Sequence, residues 1–255
     1  MGKIIVFGGS GFLGSHVADE LTKKGHDVTI FDIKISKYLN TKQKMIIGDI
    51  LNQKSVKKAI DGADYVYHFA AIADIFEARE NPVDTANFNI IGTMYILDAC
   101  REFKVKRFIY SSTVYVYSDH GSFYRSSKQS CELFIENYQN EYNLNFTILR
   151  YGSLYGSRAN HFNFIKKTIE QALIEKKIKR KGDGNEVRDY INVIDAANAS
   201  VDVLNDEYLN KYVMITGPQT MKVKEILEMI KEILNNDIEI EYLKDLVEGH
   251  YQITP

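Results

Sequence analysis

KIIVFGGSGFLG, residues 3–14, joins a short apolar run to regularly spaced glycines, and its reading decides the fold of the chain around it. Residues 3–7 are β-rich and apolar without alternation, the pattern of a strand covered on both faces. GGSGFLG, residues 8–14, fits both Gly-x-x-Gly-x-x-Gly and Gly-x-Gly-x-x-Gly, and Phe12, Leu13, Val17 and Leu21 have helical spacing. A glycine pattern alone is weak. One that closes a strand and opens a helix lets backbone N–H groups approach a pyrophosphate, whose charge the positive helix end favours. Gly8, Gly11 and Gly14, with Phe12 and Leu13, are therefore candidates to hold a dinucleotide; a turn with no ligand is the plainer alternative.

Asp32 closes the next apolar run, where a carboxylate accepts hydrogen bonds from both ribose hydroxyls of an adenosine and repels a 2′-phosphate. NAD is thus expected over NADP, although Lys34 and Lys37 stand close by. Asp49, after the third run, is the next candidate for the adenine side; the competing role for it is N-cap of the helix in QKSVKKAI.

Outward from this loop, β-rich runs at residues 27–32, 44–49, 63–70, 107–112 and 145–151 alternate with helical patterns near 12–24, 53–61, 84–102 and 124–142. Doubly apolar strands separated by helices imply an α/β fold with a doubly wound parallel sheet. After residue 151 the rhythm changes. A helix is predicted over about 161–179, a turn at Gly182–Gly184, a helix near 193–206, a strand at 211–216, then a further helix and IEIEYL. This places residues 1–152 with about 186–214 in a nucleotide-binding domain, and about 153–185 with 215–255 in a small substrate lobe.

The composition, 45% hydrophobic and 26% charged with a formal net charge of -2, asks for neither nucleic acid nor a membrane surface. The lysines of 176–181 read as the solvated end of a helix. Met-Gly-Lys leads at once into the first strand and leaves no room for a signal peptide, so a cytoplasmic protein is expected. Cys100 and Cys131 fall in amphipathic helices and read as buried free thiols, and the six histidines lack zinc-like spacing.

Two Tyr-x-x-x-Lys matches occur, Tyr38/Lys42 and Tyr124/Lys128. Only the second follows a strand end, Ser111-Ser112-Thr113, where ligands of open parallel sheets bind. Residues four apart share a helical face, so Tyr124 and Lys128 can reach one cleft.

At these residues the sequence resembles the extended short-chain dehydrogenase/reductases, in particular the NAD-dependent sugar-nucleotide epimerases and dehydratases. The resemblance runs in order through GGSGFLG (8–14), Asp32, Gly48-Asp49-Ile50, HFAA (68–71), NIIGT (89–93), YSSTVYVYS (110–118), YRSSK (124–128), LRYGSLYG (149–156) and RDYINVIDAA (188–197). It implies a Rossmann-type sheet in which Tyr124 is the base, Lys128 holds the nicotinamide ribose and Thr113 hydrogen-bonds the reacting oxygen. It further implies that Asp49, Ile50, Phe69, Ala70, Ala71, Ser111 and Tyr151 adjoin NAD and that Asn89 braces this region. Ser153 and Arg188 would meet the diphosphate of a nucleotide sugar, most simply a UDP-sugar.

The residues after Thr113 separate the family's reactions. The 4,6-dehydratases resemble Ser-Thr-Asp-Glu-Val-Tyr-Gly here, and decarboxylases commonly carry a Glu; this chain has Val114-Tyr115. The stretch instead resembles the 4-epimerases, which need no second acid. A sugar-nucleotide reductase or dehydratase, or a non-catalytic NAD-binding sensor, are the alternatives. Three departures stand out: a short loop before Tyr124, Ser118 for a usual Gly, and Ser153 where many relatives have Asn. The chain also stops at Pro255, some tens of residues before its relatives generally do. Apolar residues at 90–102 and 131–142 lead to the expectation of a homodimer.

Overall fold

The computed structural model describes residues 1–234 and 237–243. β1 (Lys3–Phe7) leads through the glycine turn into α1 (Phe12–Lys23), β2 (Asp27–Asp32), β3 (Gln43–Ile47), α2 (Gln53–Ile60) and β4 (Tyr65–His68). α3 (Ile75–Glu80), α4 (Pro82–Thr85), a wide helical turn at Ala86–Ile91 and α5 (Gly92–Glu102) precede β5 (Arg107–Thr113); a tight turn at Val114–Tyr117 and α6 (Ser122–Tyr142) precede β6 (Phe146–Tyr151). β7 (Ser153–Tyr155), α7 (Phe164–Glu175), β8 (Lys177–Lys181), β9 (Val187–Asn192), α8 (Val193–Asp202), β10 (Lys211–Ile215), β11 (Thr220–Lys222), α9 (Val223–Ile233) and β12 (Glu239–Leu243) follow.

The chain divides into two compact units, Met1–Tyr151 with Ile194–Ile215, and Gly152–Val193 with the described part of Thr216–Pro255. The larger unit is a seven-stranded sheet in the order β3-β2-β1-β4-β5-β6-β10, parallel at every pairing. It is a Rossmann-type doubly wound fold, with order reversing between β1 and β4. Apolar side chains cover both faces: Phe7, Phe31, Val66, Ile96, Leu97, Phe108 and Ile148 form one buried cluster on one face, and Ile4, Val6, Ile30 and Ile109 are buried on the other. Cys100 and Cys131 are buried and free, as expected. Among the described residues no helix is long and apolar enough to cross a membrane, and no cluster of metal-ligating side chains occurs.

In the smaller unit β9 pairs in parallel with β7 and antiparallel with β11, while β8 and β12 pair in parallel. Ala172, Ile178, Val223, Leu227 and Ile230 make its core. Two expectations are corrected here. The helix predicted to 179 ends at Glu175: Lys176 adopts φ 53°, and Lys177–Lys181 form a strand with Ile178 buried rather than a solvated helix end. Residues 186–193, assigned from sequence to the larger domain, belong to the smaller unit through the pairings of β9. Residues 244–255 of the expected lobe lie outside the described residues.

The single helix predicted over 84–102 is also divided. Asp74 caps α3 by accepting from the N–H of Phe76 and Glu77, Pro82 opens α4, and the backbone widens at Ala86–Ile91 before α5.

Arg107 ties the sheet to the outgoing end of α8. Its buried Nη1 donates to the carbonyls of Val203 (2.8 Å) and Asn205 (3.1 Å), and Nη2 pairs with Asp206 (3.1 Å). We expect Arg107→Met to lower the unfolding free energy by about 2–3 kcal/mol, since buried carbonyls lose charged donors; urea denaturation followed by circular dichroism measures it.

Candidate functional site

The reversal of strand order opens a cleft of about 580 Å³ at the carboxyl ends of β1, β2, β3 and β4, a size that suits a small-molecule ligand. Gly8, at φ +76°, forms its floor; an added Cβ there would stand 2.5 Å from Ala70 N, so the turn needs glycine to pass this close. Gly11 precedes α1, whose start has no side-chain cap and no acidic residue in its first turn. Phe12, Leu13 and Gly14 form that turn, leaving their amides to an anion.

Asp32 Oδ2 accepts from Ser10 N (3.0 Å) and Oδ1 from Lys34 N (3.2 Å). The carboxylate is thereby fixed with lone pairs to spare for ribose hydroxyls. Asp49 accepts from Leu51 N (2.9 Å), and α2 is capped by Asn52, which accepts from Ser55 N (3.1 Å). The cap alternative for Asp49 is thus removed. Ile50, Phe69, Ala70 and Ala71 also line the cleft, and its glycine turn, uncapped amides and Asp32 carboxylate suit a dinucleotide; Phe12, Leu13, Gly14, Asn89, Ser111, Tyr124, Lys128 and Tyr151, also expected on the cofactor, are not in its lining. Sequence reasoning missed Ile33, Ile72, Glu77, Asn81, Asp84 and Phe88, which also line it. The cap at Asp74 and the Asn81-Pro82 break signal the helices bearing two of them, Glu77 and Asp84.

Tyr124, Lys128 and Thr113 come together at the end of β5. Thr113 is buried, with its hydroxyl near the Tyr124 phenol, and accepts from Tyr115 N (3.2 Å). Lys128 Nζ donates to Ser111 O (2.7 Å) and lies 4.7 Å from the Tyr110 ring centroid and 5.7 Å from that of Tyr124. Burial pushes the Tyr124 phenol well above its ordinary value and the neighbouring Tyr115 adds to this, while the Thr113 hydroxyl works the other way. Burial lowers the Lys128 amine to about 8, against smaller opposing effects of Cys131 and Glu132. Tyr115 packs edge-on against Tyr124, at 6.5 Å between centroids.

Asn89, in the widened turn, clamps this arrangement. Its Oδ1 accepts from Ile72 N (2.8 Å), and its Nδ2 donates to Ile72 O (3.0 Å) and to Ser127 Oγ (2.9 Å), which in turn donates to Tyr124 O (2.7 Å). A wider turn of helix re-aims this side chain. Behind Lys128, His68 Nε2 pairs with Thr93 Oγ1 (3.0 Å); burial first, then the charge of Lys128, hold its imidazole down to about 3.

Other expected residues lie elsewhere. Tyr38 and Lys42 fall between β2 and β3, far in sequence from this cluster. Tyr151 is buried, with its hydroxyl 2.6 Å from Ser200 Oγ. Ser153 and Arg188 belong to the smaller unit, on the adjacent strands β7 and β9, and Arg188 Nε is buried without a hydrogen-bond partner. Before Tyr124 the short loop turns at Gly121, φ +96°, where a Cβ would press on Tyr115 and Arg125.

Residues 4–214 match the model of the NAD dependent epimerase/dehydratase family. A Methanocaldococcus jannaschii protein named as a candidate UDP-glucose 4-epimerase is 32% identical over 253 residues, 89% of this chain and 81% of that one. The UDP-N-acetyl-alpha-D-glucosaminuronate decarboxylase of Bacillus cytotoxicus is 28% identical, covering 93% and 82%. Among solved structures, the UDP-glucuronic acid 4-epimerase of Bacillus cereus, in complex with UDP-glucuronic acid and NAD, superposes with a TM-score of 0.90 at 27% identity, over 99% of this chain and 89% of that one. With a glycine cradle at the end of β1 and a strand-end threonine beside a Tyr/Lys helix face at the end of β5, the chain belongs to the NAD-dependent epimerase/dehydratase family and uses NAD as its cofactor.

Proposed function

We propose that the protein is a nucleotide-sugar 4-epimerase acting on UDP-sugars. The observation that carries this is the pairing of Thr113 with Tyr124 beside Val114 and Tyr115, a segment with no carboxylate to remove a hydroxyl or assist loss of CO2. NAD, when bound, accepts and returns the hydride. Tyr124 takes the proton of the sugar 4-hydroxyl and Thr113 holds its oxygen. Lys128 anchors the cofactor's ribose and favours the phenolate. After the keto sugar turns over, Tyr124 returns the proton and the product is the epimer.

Gly8, Gly11, Phe12, Leu13 and Gly14 serve the pyrophosphate, Asp32 and Asp49 the adenosine, and Ile50, Phe69, Ala70, Ala71, Ser111 and Tyr151 the remaining cofactor contacts. Arg188, whose fork matches phosphate oxygens, is assigned to the substrate diphosphate with Ser153 in the smaller unit. The free thiols suit a reducing cytoplasm. A homodimer is supported by apolar side chains exposed along α6, Leu133, Phe134 and Tyr142, and by Ile91 just before α5, whose own apolar residues are buried or half-buried.

Incubation with UDP-glucose, UDP-galactose and their N-acetyl and uronic acid relatives, resolved by chromatography, should give interconversion within at least one pair and no net change in NADH absorbance. No interconversion with any of them overturns the proposal, and a 4-keto-6-deoxy product or steady NADH consumption moves it to a dehydratase or reductase. Tyr124→Phe should reduce kcat by about 10²–10⁴-fold, the usual worth of a general base, while leaving NAD bound. Lys128→Met should displace the acid limb of the pH profile to higher pH, because loss of a neighbouring cation raises a phenol's pKa. Light scattering at micromolar concentration should give twice the 29.3 kDa chain mass; a monomer would remove the dimer.

A further inference from the structure

The proposed chemistry needs Thr113, on a strand end, and Tyr124 with Lys128, on a helix, to hold one geometry. A single side chain reaches both carriers. Arg150 of β6 stands opposite Ser112 of β5 in the parallel register. Its Nε and Nη2 donate to Glu132 at 3.1 and 2.6 Å, and Ser112 Oγ donates to the same carboxylate at 2.5 Å. Glu132 lies four residues beyond Lys128 and eight beyond Tyr124, on the same face of α6. Three donors on one carboxylate fix the rotation of that helix against the ends of β5 and β6.

The guanidinium also holds the other half of the site. Arg150 Nη1 donates to Tyr117 Oη at 2.6 Å, at the far end of the tight turn that begins just after Thr113. Gln129 Nε2 adds a bond from α6 to Val116 O at 3.0 Å. The Arg150 guanidinium lies over two rings, 4.8 Å from the Tyr117 centroid and 4.4 Å from that of Tyr212, contacts that restrain it further. Glu132 and Ser112 are buried, and the pair is shielded from solvent screening.

We propose that Arg150 is a positioning residue for the reaction, setting the distance between Thr113 and the Tyr124/Lys128 pair by gripping Glu132 with one edge of its fork and Tyr117 with the other. The proposal rests on the assignment of those three residues as the reacting groups. Lysine keeps the charge but lacks the planar fork, so it cannot hold both partners at once. A displacement of about 1 Å at a reacting group costs on the order of 10²-fold in rate.

Three variants test this on the NAD-loaded protein: Arg150→Lys, the milder Tyr117→Phe at a half-exposed ring, and the double variant. Arg150→Lys should lower kcat by about 10- to 100-fold, with NAD affinity within about threefold of wild type. Tyr117→Phe should lower it less, and the double variant should be no slower than Arg150→Lys, since both changes release one contact. A readout independent of any sugar is the ionisation of Tyr124, taken as the difference in phenolate absorbance between each protein and its Tyr124→Phe counterpart. Its apparent pKa should rise by about one pH unit in Arg150→Lys as the Thr113 hydroxyl and the lysine charge loosen. An unchanged Tyr124 titration, or an activity loss accounted for entirely by lost NAD or unfolded protein, overturns the proposal. A wild type that turns over no nucleotide sugar while the titration still moves overturns the epimerase assignment and leaves the positioning role standing.

Discussion

Burial of β1 on both faces is the constraint from which the larger unit follows. Ile4, Val6 and Phe7 are fully removed from solvent, so helices must cover both sides of the sheet, and the chain has to leave the strand in the middle of the sheet rather than at an edge. From that centre β2 and β3 extend one way and β4, β5, β6 and β10 the other. Every strand is parallel, so all carboxyl ends face the same way, and the divergence leaves a cleft at the one place where no connection crosses. Gly8 passes against Ala70 at this point because β1 and β4 are hydrogen-bonded neighbours with Phe7 opposite His68.

The proposed chemistry sits one strand further out, and its precision comes from cross-links rather than from the sheet alone. A strand end and a long helix are separate carriers, and the approach of Thr113 to Tyr124 persists only if the helix neither rotates nor slides. Asn89 restrains the start of α6 through Ser127 and Ile72, and Glu132 restrains it five residues further on through Ser112 and Arg150. The first restraint depends on the widened turn at Ala86–Ile91, which costs regular helix geometry in a segment whose apolar spacing otherwise favours it. Irregular backbone is kept where it aims a side chain.

The elements legible in the sequence are those whose pattern is fixed by burial within one segment. β1, β2, β5 and β6 are apolar on both faces and needed no partner to be read; the glycine turn, Asp32 and the Tyr124/Lys128 face followed from their place beside those strands. β7, β8, β9 and β11 are short, polar or half-exposed, and their conformation is decided by the strand each pairs with, so Lys177–Lys181 read as helix end when only Ile178 distinguishes it. The same limit applies to the cleft. Asp32 was visible because a strand delivers it, while Glu77 and Asp84 arrive on short helices whose only signals were the Asp74 cap and Pro82. Arg150 and Glu132 are two ordinary charges, 18 residues apart, until β6 and α6 bring them into contact.

Ionisation at the site has a direction set by burial. The protein alone raises Tyr124 and lowers Lys128 to about 8, and it keeps His68 neutral across the physiological range, so at neutral pH the cluster consists of a phenol, one ammonium bonded to Ser111 O, and an uncharged imidazole. A neutral His68 adds no second charge to compete with Lys128 for the nearby carbonyl. On the proposed chemistry Tyr124 needs a further positive charge before it can act as a base, and an oxidised nicotinamide would supply one. Tyr124 would then act as a base toward an alcohol while a bound cofactor supplies positive charge, and would regain its proton affinity toward a ketone once that charge is gone. One residue can then serve both half-reactions in turn, as an epimerisation with no net redox change requires, and the burial that opposes phenolate in the protein alone is what returns the proton at the end.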